Sequence, residues 1–333
     1  MRKGMYSGLL LFIITIFCFS SIVFSQTNNQ SLLNKKNIVA YVSVIEICQE
    51  TGEIIAGTYG KGIMMSANRG RSWEFRNQGL KNMFINCISI DPANNDHILL
   101  GTSWGGIYAS SDKGKNWRET NNGLKFLNVL SIDFDHKNPT TIYAATLGGG
   151  VYRSDNGGES WELRSKNLDV LDVVRILVAP WNTDWIYAGT FRSRVYRSIN
   201  KGESWELMAT IGTIDEWIMA LAASEKNPDV IFAGTYGDGI RKSVDGGKSW
   251  SPASQGITND FVWALIIDPL NPSTLYAGTL GEGVFKSEDS GKSWGNLKQM
   301  ISNLNIFSLA LEAKEDGHLY IGDYWGNIIN LKK

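Results

Sequence analysis

Glycoside hydrolysis needs two carboxyl groups roughly 5–10 Å apart across the scissile bond. Asp172, Asp215, Glu216 and Asp260 are the acids whose surroundings suit that task, because they fall in short turns between repeating units. A second acidic series is far more regular. Asn68, Asp112, Asn156, Asn200, Asp245 and Asp289 each occupy the third place of the phrase Ser-x-Asp/Asn-x-Gly-x-x-Trp. Such a series suits metal ligation or the fastening of turns. The constant neighbours favour fastening. Glycine accepts the positive φ of a tight turn, the acid or amide and the serine hydroxyl bond nearby amides, and tryptophan buries a large apolar surface. His97, His136 and His318 are assigned to turns between the first and second strands of their repeats and have no ligand spacing with one another, so neither a metal nor a cofactor is expected. A glycine-rich phosphate loop and a local serine–histidine–aspartate signature are missing as well.

The phrase carries the architecture. Its members are Ser66, Asn68, Gly70 and Trp73; Ser110, Asp112, Gly114 and Trp117; Ser154, Asn156, Gly158 and Trp161; Ser198, Asn200, Gly202 and Trp205; Ser243, Asp245, Gly247 and Trp250; and Ser287, Asp289, Gly291 and Trp294. The tryptophans step by 44 residues, once by 45, which marks a repeat fold. In the repeat from Asn128, NVLSIDFD alternates as a strand does, TIYAATL and VYRS are further strands, and SWELRS is a fourth. Four short antiparallel strands per repeat describe a propeller blade. The second strand recurs seven times, from IIAGT ending at Thr58 to LYIGD ending at Asp323. The expectation is an all-β, seven-bladed β-propeller of four-stranded antiparallel blades.

The first residues read as a secretory signal peptide. Arg2 and Lys3 precede an apolar run from Leu9 to Phe17, and Val23-x-Ser25 resembles a cleavage site. Phe17 is too large for a lipobox around Cys18. The expected division is 1–25 signal peptide, 26–36 a segment whose short strand closes blade 7, and 37–333 a single propeller, with a secreted or periplasmic address. Residues 26–333 match the length of seven repeats, and the seventh repeat stops after its third strand. Covering that sheet edge would prevent pairing with other chains. Cys48 and Cys87 are expected as two buried, unpaired thiols, because their strand positions lie roughly 13 Å apart. A net charge of −1 gives no footprint for nucleic acid, and no membrane span remains after cleavage.

The six phrases resemble the Asp-box, or bacterial neuraminidase repeat, over essentially all of residues 37–333. The longer phrase NPSTLYAGTLGEGVFKSEDSGKSW from Asn271 is similar to photosystem II stability and assembly factors, xyloglucan-specific endoglucanases and sortilin-type propellers. The resemblance implies that the Asp-boxes lie opposite the binding or catalytic face. It does not transfer one activity. Sialidases need an arginine triad and an early Phe-Arg-Ile-Pro motif. The nearest string here is Phe191-Arg192-Ser193-Arg194, mid-chain and without proline. Xyloglucanases work between two propellers, and this chain has residues for one.

On the face opposite the phrases, turns that depart from Thr-x-Gly-x-Gly point to recognition, because the fold alone accepts glycine there. Tyr59, Trp104, Tyr324 and Trp325 form an expected aromatic arc over blades 7, 1 and 2. Phe191, Arg192, Arg194, Trp217, Tyr236, Asp238 and Glu282 make a more charged arc. Asp169, Asp172, Asp215, Glu216, Asp260 and Trp263 are assigned to the inter-blade turns. The expected function is a binding or scaffold module for a protein or glycan, without chemistry. The alternatives are a glycoside hydrolase using Asp172, Asp215, Glu216 and Asp260, and an assembly factor for an exported complex using Arg192, Arg194 and Arg175.

Overall fold

The computed structural model describes residues 40–213, 216–297 and 301–333. Every named element among them is a β-strand, and the strands form seven antiparallel sheets. Blade 1 holds β1 (Val42–Ile47), β2 (Ile54–Thr58), β3 (Gly62–Ser66) and β4 (Glu74–Phe75). Blade 2 holds β5 (Ile85–Ile90), β6 (Ile98–Thr102), β7 (Gly106–Ser110) and β8 (Arg118–Glu119). Blade 3 holds β9 (Val129–Phe134), β10 (Ile142–Thr146), β11 (Gly150–Ser154) and β12 (Glu162–Leu163). Blade 4 holds β13 (Val173–Val178), β14 (Ile186–Thr190), β15 (Arg194–Ser198) and β16 (Glu206–Thr210). Blade 5 holds β17 (Ile218–Ala223), β18 (Ile231–Thr235), β19 (Ile240–Ser243) and β20 (Ser251–Pro252). Blade 6 holds β21 (Val262–Ile267), β22 (Leu275–Thr279), β23 (Gly283–Ser287) and β24 (Gly295–Asn296). Blade 7 holds β25 (Ile306–Leu311), β26 (His318–Asp323) and β27 (Ile328–Lys332).

The chain is a seven-bladed β-propeller. The first strand of each blade neighbours the first strand of the next, and β25 returns to β1. The second strands of blades 1–6 are buried at every residue. That follows from sheets covered on both faces by their neighbours, and it explains their unbroken apolar sequences. A cluster of buried apolar side chains fills each interface, from Ile63, Leu100 and Tyr108 between blades 1 and 2 to Val42, Ile54 and Tyr320 between blades 7 and 1. Cys48 and Cys87 are buried and unpaired. Gln49 ties blade 1 to blade 7 through the carbonyl of Leu311 at 3.2 Å and the amide of Ala313 at 2.8 Å. Lys333 places its ammonium on the buried carboxylate of Asp268 in blade 6. The leader 1–25 and the closing strand expected in 26–36 lie outside the described residues.

The repeated phrase is a fastened turn in all six copies. Serine Oγ donates to the acid or amide oxygen two residues on, at 2.8–3.0 Å, and accepts the amide of the glycine four residues on. Bonds from the side chain and amide of Asn116, and then from Ser110, hold the Asp112 carboxyl down to about 2, and Ser249 and then Ser243 do the same for Asp245. The fourth strand is shorter than SWELRS suggests and starts after the tryptophan. The indole instead turns toward the preceding blade. Trp117, Trp161, Trp205 and Trp294 donate Nε1–H to the carbonyls of Arg76, Thr120, Arg164 and Ala253 at 2.7–2.9 Å. Their backbone amides reach the carbonyls of Gln78, Asn122, Lys166 and Gln255. The next residue in three of those places is Gly79, Gly123 or Gly256, with φ of 89°, 84° and 98°. A Cβ there would lie 2.0–2.1 Å from the tryptophan carbonyl. Gly123→Ala is therefore expected to cost more than about 2 kcal/mol in urea denaturation, while Gly295→Ala, which meets open space, stays within about 0.5 kcal/mol. Equal midpoints for the two variants would contradict this account.

Candidate functional site

The turns joining second to third strands and the turns joining one blade to the next share one end of the ring. At the third place of the former, blades 1, 3, 5 and 6 carry Gly60, Gly148, Gly237 and Gly281, all with positive φ. Blades 2 and 4 carry Trp104 and Arg192 there, each at φ 64°. Ser193 follows at φ 55°. L-residues pay for this conformation, yet both side chains point outward: Trp104 is 39 % exposed, and Arg192 is exposed. In blade 7 Trp325 is 64 % exposed.

The part of the aromatic arc over blades 7 and 1 is a connected set of rings. Tyr41 lies parallel to Tyr59 at 5.2 Å and to Tyr324 at 6.5 Å, and Tyr324 meets Trp325 edge-on at 5.1 Å. Ser103, beside Trp104, donates to the Tyr59 hydroxyl at 3.4 Å. Burial pushes the phenols of Tyr41 and Tyr59 up. A second stack, in the arc expected to be charged, runs Phe191–Trp217–Tyr236–Phe261 with centroids 4.5, 5.3 and 4.7 Å apart. Isolated bridges explain both: Tyr59 pairs with Phe84, Phe191 with Trp217, and Tyr236 with Phe261. Each joins the residue after a second strand to the residue before the next blade. Tyr41, Phe84 and Phe261 were not among the sequence-derived site residues. Their place one step from an innermost strand, repeated blade by blade, is the signal that finds them.

The charged candidates sit in intramolecular pairs. Arg194 bonds Asp169, which also accepts from Tyr196. The Arg194 guanidinium, then Tyr196, hold the Asp169 carboxyl down. Arg241 grips Asp238 at 2.5 and 2.7 Å. Glu282 accepts from Thr258 at 2.5 Å, and Glu216 from the Thr213 amide at 2.8 Å. Glu216 and Asp260 flank the turn 237–239 of blade 5. Asp172 sits one blade earlier, where its carbonyl accepts from Phe191. Asp215 lies outside the described residues.

Three assignments need correction. Trp263 is a buried residue of β21, not of a turn, because its ring packs edge-on against Phe307 at 4.8 Å. His318 opens β26 rather than lying in the preceding turn. Arg175 does not reach the rim. It belongs to an innermost strand and lines the central channel. Along that channel β1 contributes Glu46 and β9 contributes Asp133, which accepts the Val178 amide at 2.8 Å. Burial, and then mutual repulsion, push Glu46 up to about 8. Burial pushes Asp133 to about 7 and the Cys87 thiol to about 12.

No family model and no curated protein sequence matches this chain. Solved structures do. The GH74 xyloglucanase from Xanthomonas campestris superposes with a TM-score of 0.71 at 17 % identity, over 88 % of this chain and 52 % of that one. The GH74 enzyme of Niastella koreensis gives 0.73 at 17 %, over 87 % and 52 %. YCF48 from Cyanidioschyzon merolae gives 0.67 at 14 %, over 88 % and 95 %. The chain thus spans about half the length of the GH74 structures and nearly all of YCF48. At these identities the likeness concerns the fold.

The channel acids carry a testable pH dependence. The folded state holds the Glu46 proton more tightly than an unfolded chain does. This carboxyl therefore costs nothing below its ordinary value of 4.5, and the cost grows until the pH passes about 8. Glu46→Gln is expected to raise the melting temperature by a few degrees at about pH 9 and to leave it unchanged at about pH 4. A gain confined to acid would refute the assignment.

Proposed function

We propose that this chain is a non-enzymatic binding module, an Asp-box propeller that works outside the cytosol once residues 1–25 are removed. It holds an extended partner, polysaccharide or polypeptide, on the face of its second-to-third-strand turns. The observation that carries this reading is the pair Trp104 and Arg192. Both keep a backbone conformation that four other blades assign to glycine, and both present their side chains to solvent. Strain retained where glycine would relieve it marks a site selected for its side chain. Exposed Trp325 and the tyrosine stack extend the same surface. Aromatic anchors of this kind dominate recognition energy. The near full-length match to YCF48, against half of each GH74 chain, fits a single propeller acting alone.

A second reading is a glycoside hydrolase that borrows its other wall from a second copy or subunit. The GH74 likeness favours it, as does the placement of Glu216 and Asp260 on either side of one turn. A third places the chain as an assembly factor, with Arg192 and Arg194 meeting an exported protein complex.

Binding to β-glucans and to co-purifying exported proteins separates these readings, with stability measured in parallel. Trp104→Gly and Arg192→Gly are each expected to leave unfolding free energy unchanged or raise it by about 1 kcal/mol, while partner affinity drops about tenfold or more. Loss of stability together with affinity would mean that the two residues serve the fold. Glucan turnover that disappears in Asp260→Asn would establish the hydrolase instead.

A further inference from the structure

The channel holds an arginine that the rim does not use. Arg175 stands in β13 at the level where the other innermost strands carry Val44, Cys87, Ser131, Ala220, Ala264 and Ser308. Six small side chains and one long one leave a cavity of about 210 Å³ with the guanidinium in its wall. Nη1 donates to the carbonyls of Val174 at 3.0 Å and Leu130 at 3.4 Å. Among the described residues no carboxylate forms an ion pair with this guanidinium. A desolvated cation without a counter-charge is costly, and a planar guanidinium is shaped to take a carboxylate in a two-pronged grip.

The rest of the cavity narrows the class of ligand. Blades 5–7 line the cavity with the apolar side chains of Met219, Trp263 and Phe307. A dry apolar cavity of roughly 150 Å³ already accepts benzene, so this one has room for a small ring or a short branched chain. The two mouths differ. The mouth on the side of the tryptophan phrases opens into a space of about 430 Å³ lined by Glu46, Glu50, Asp91 and Asp133, which repels anions. The other mouth, at the centre of the recognition face, is lined by neutral side chains such as Ser43 and Asn86.

We propose that the channel binds a small amphiphilic monocarboxylate, with its carboxylate on Arg175 and its apolar body against Trp263, Phe307 and Met219. The site is independent of the rim and of whatever partner the rim holds. The titratable groups that share the cavity with Arg175 are Glu46 from β1 and Cys87 from β5, with Asp133 from β9 in the adjoining space toward the rear mouth, and β17, β21 and β25 add none. Burial raises both carboxyls. They are therefore mostly neutral at about pH 6 and ionised above about pH 8, where they oppose the ligand.

Calorimetric titration of the full chain with benzoate and hexanoate, against benzamide and inorganic phosphate, tests the assignment. Benzoate and hexanoate are expected to bind, with benzamide and phosphate at least about tenfold weaker, and Arg175→Gln is expected to lose the difference between benzoate and benzamide. Affinity for benzoate should fall from about pH 6 to about pH 8.5. No carboxylate binding, benzamide binding as well as benzoate, phosphate binding as well as benzoate, or an Arg175→Gln protein that still discriminates would each overturn it. The benzoate–benzamide comparison and the pH series use the wild-type protein, so the test survives a variant that fails to fold.

Discussion

A tryptophan that reaches backwards holds this ring together. The repeat is 44 residues long, yet the indole N–H of Trp117, Trp161, Trp205 or Trp294 finds a carbonyl 41 residues earlier, in the preceding blade. The backbone amide of the same residue makes a second bond to that blade. One side chain thus closes its own turn, buries a large apolar surface and satisfies a buried carbonyl of its neighbour. A blade alone has two apolar faces and no means of covering either. Its stability is shared with its neighbours, and the period and the staple are one constraint. Among the described residues Trp73 and Trp250 do not make this bond, and the second supports this view. Trp250 donates to Gly247 in its own turn at 2.9 Å, and at that interface β16 is longer. There Tyr187 and Arg197 of blade 4 donate to the Gly246 carbonyl at 3.1 and 3.2 Å. Another pair of donors bridges the two blades where the indole does not.

Because the staples and fastened turns lie together at one end, the other end is released from structural duty. Its turns need only return the chain, and glycine does that without strain in four blades. Trp104 and Arg192 take a positive φ at the same place at a cost, and in blade 4 the strain passes on to Ser193 rather than to the fifth place of the turn; the rigid rear of the ring can absorb it. The isolated bridges between blades limit this freedom. Phe191, Trp217 and Tyr236 are both rim residues and the mortar between blades 4, 5 and 6. Truncating them disturbs blade contacts as well as the rim, whereas Trp104, Arg192 and Trp325 project beyond the bridges.

The blades were legible in the sequence because each is written by local rules: a turn phrase, a glycine, a buried five-residue strand. The pairing of rim aromatics was not, because Tyr59–Phe84 and Phe191–Trp217 join residues about 25 apart, and no period-2 or turn signal marks them. Tyr41 and Phe307 carry no such signal either, and their rings pack at 4.6 Å in a tilted arrangement. Arg175 was misplaced for a related reason. Its strand reads as apolar with one charge, which taken alone suggests a solvent edge. Only alignment with Ser131, Ala220 and Ser308 shows that this level faces the axis, where six blades hold small residues and one does not.

The axis is also where the symmetry of the repeats is most thoroughly broken. Blades 1–4 supply Glu46, Asn86, Asp133 and Arg175 to it, while blades 5–7 supply Met219, Trp263 and Phe307. Seven similar strands could line a channel with seven similar side chains at less cost, since each buried charge must be desolvated. The charges are ordered as well. The acids lie toward the stapled end, and the arginine lies one level closer to the recognition face. Once those carboxyls ionise, as the pH passes about 7 and then about 8, that separation makes a field directed along the axis of a low-dielectric tube, with its negative end toward the stapled turns. Filling the space between blades needs no such ordering, and the arginine puts the positive end of the axis on the same side as the strained turns at Trp104 and Arg192.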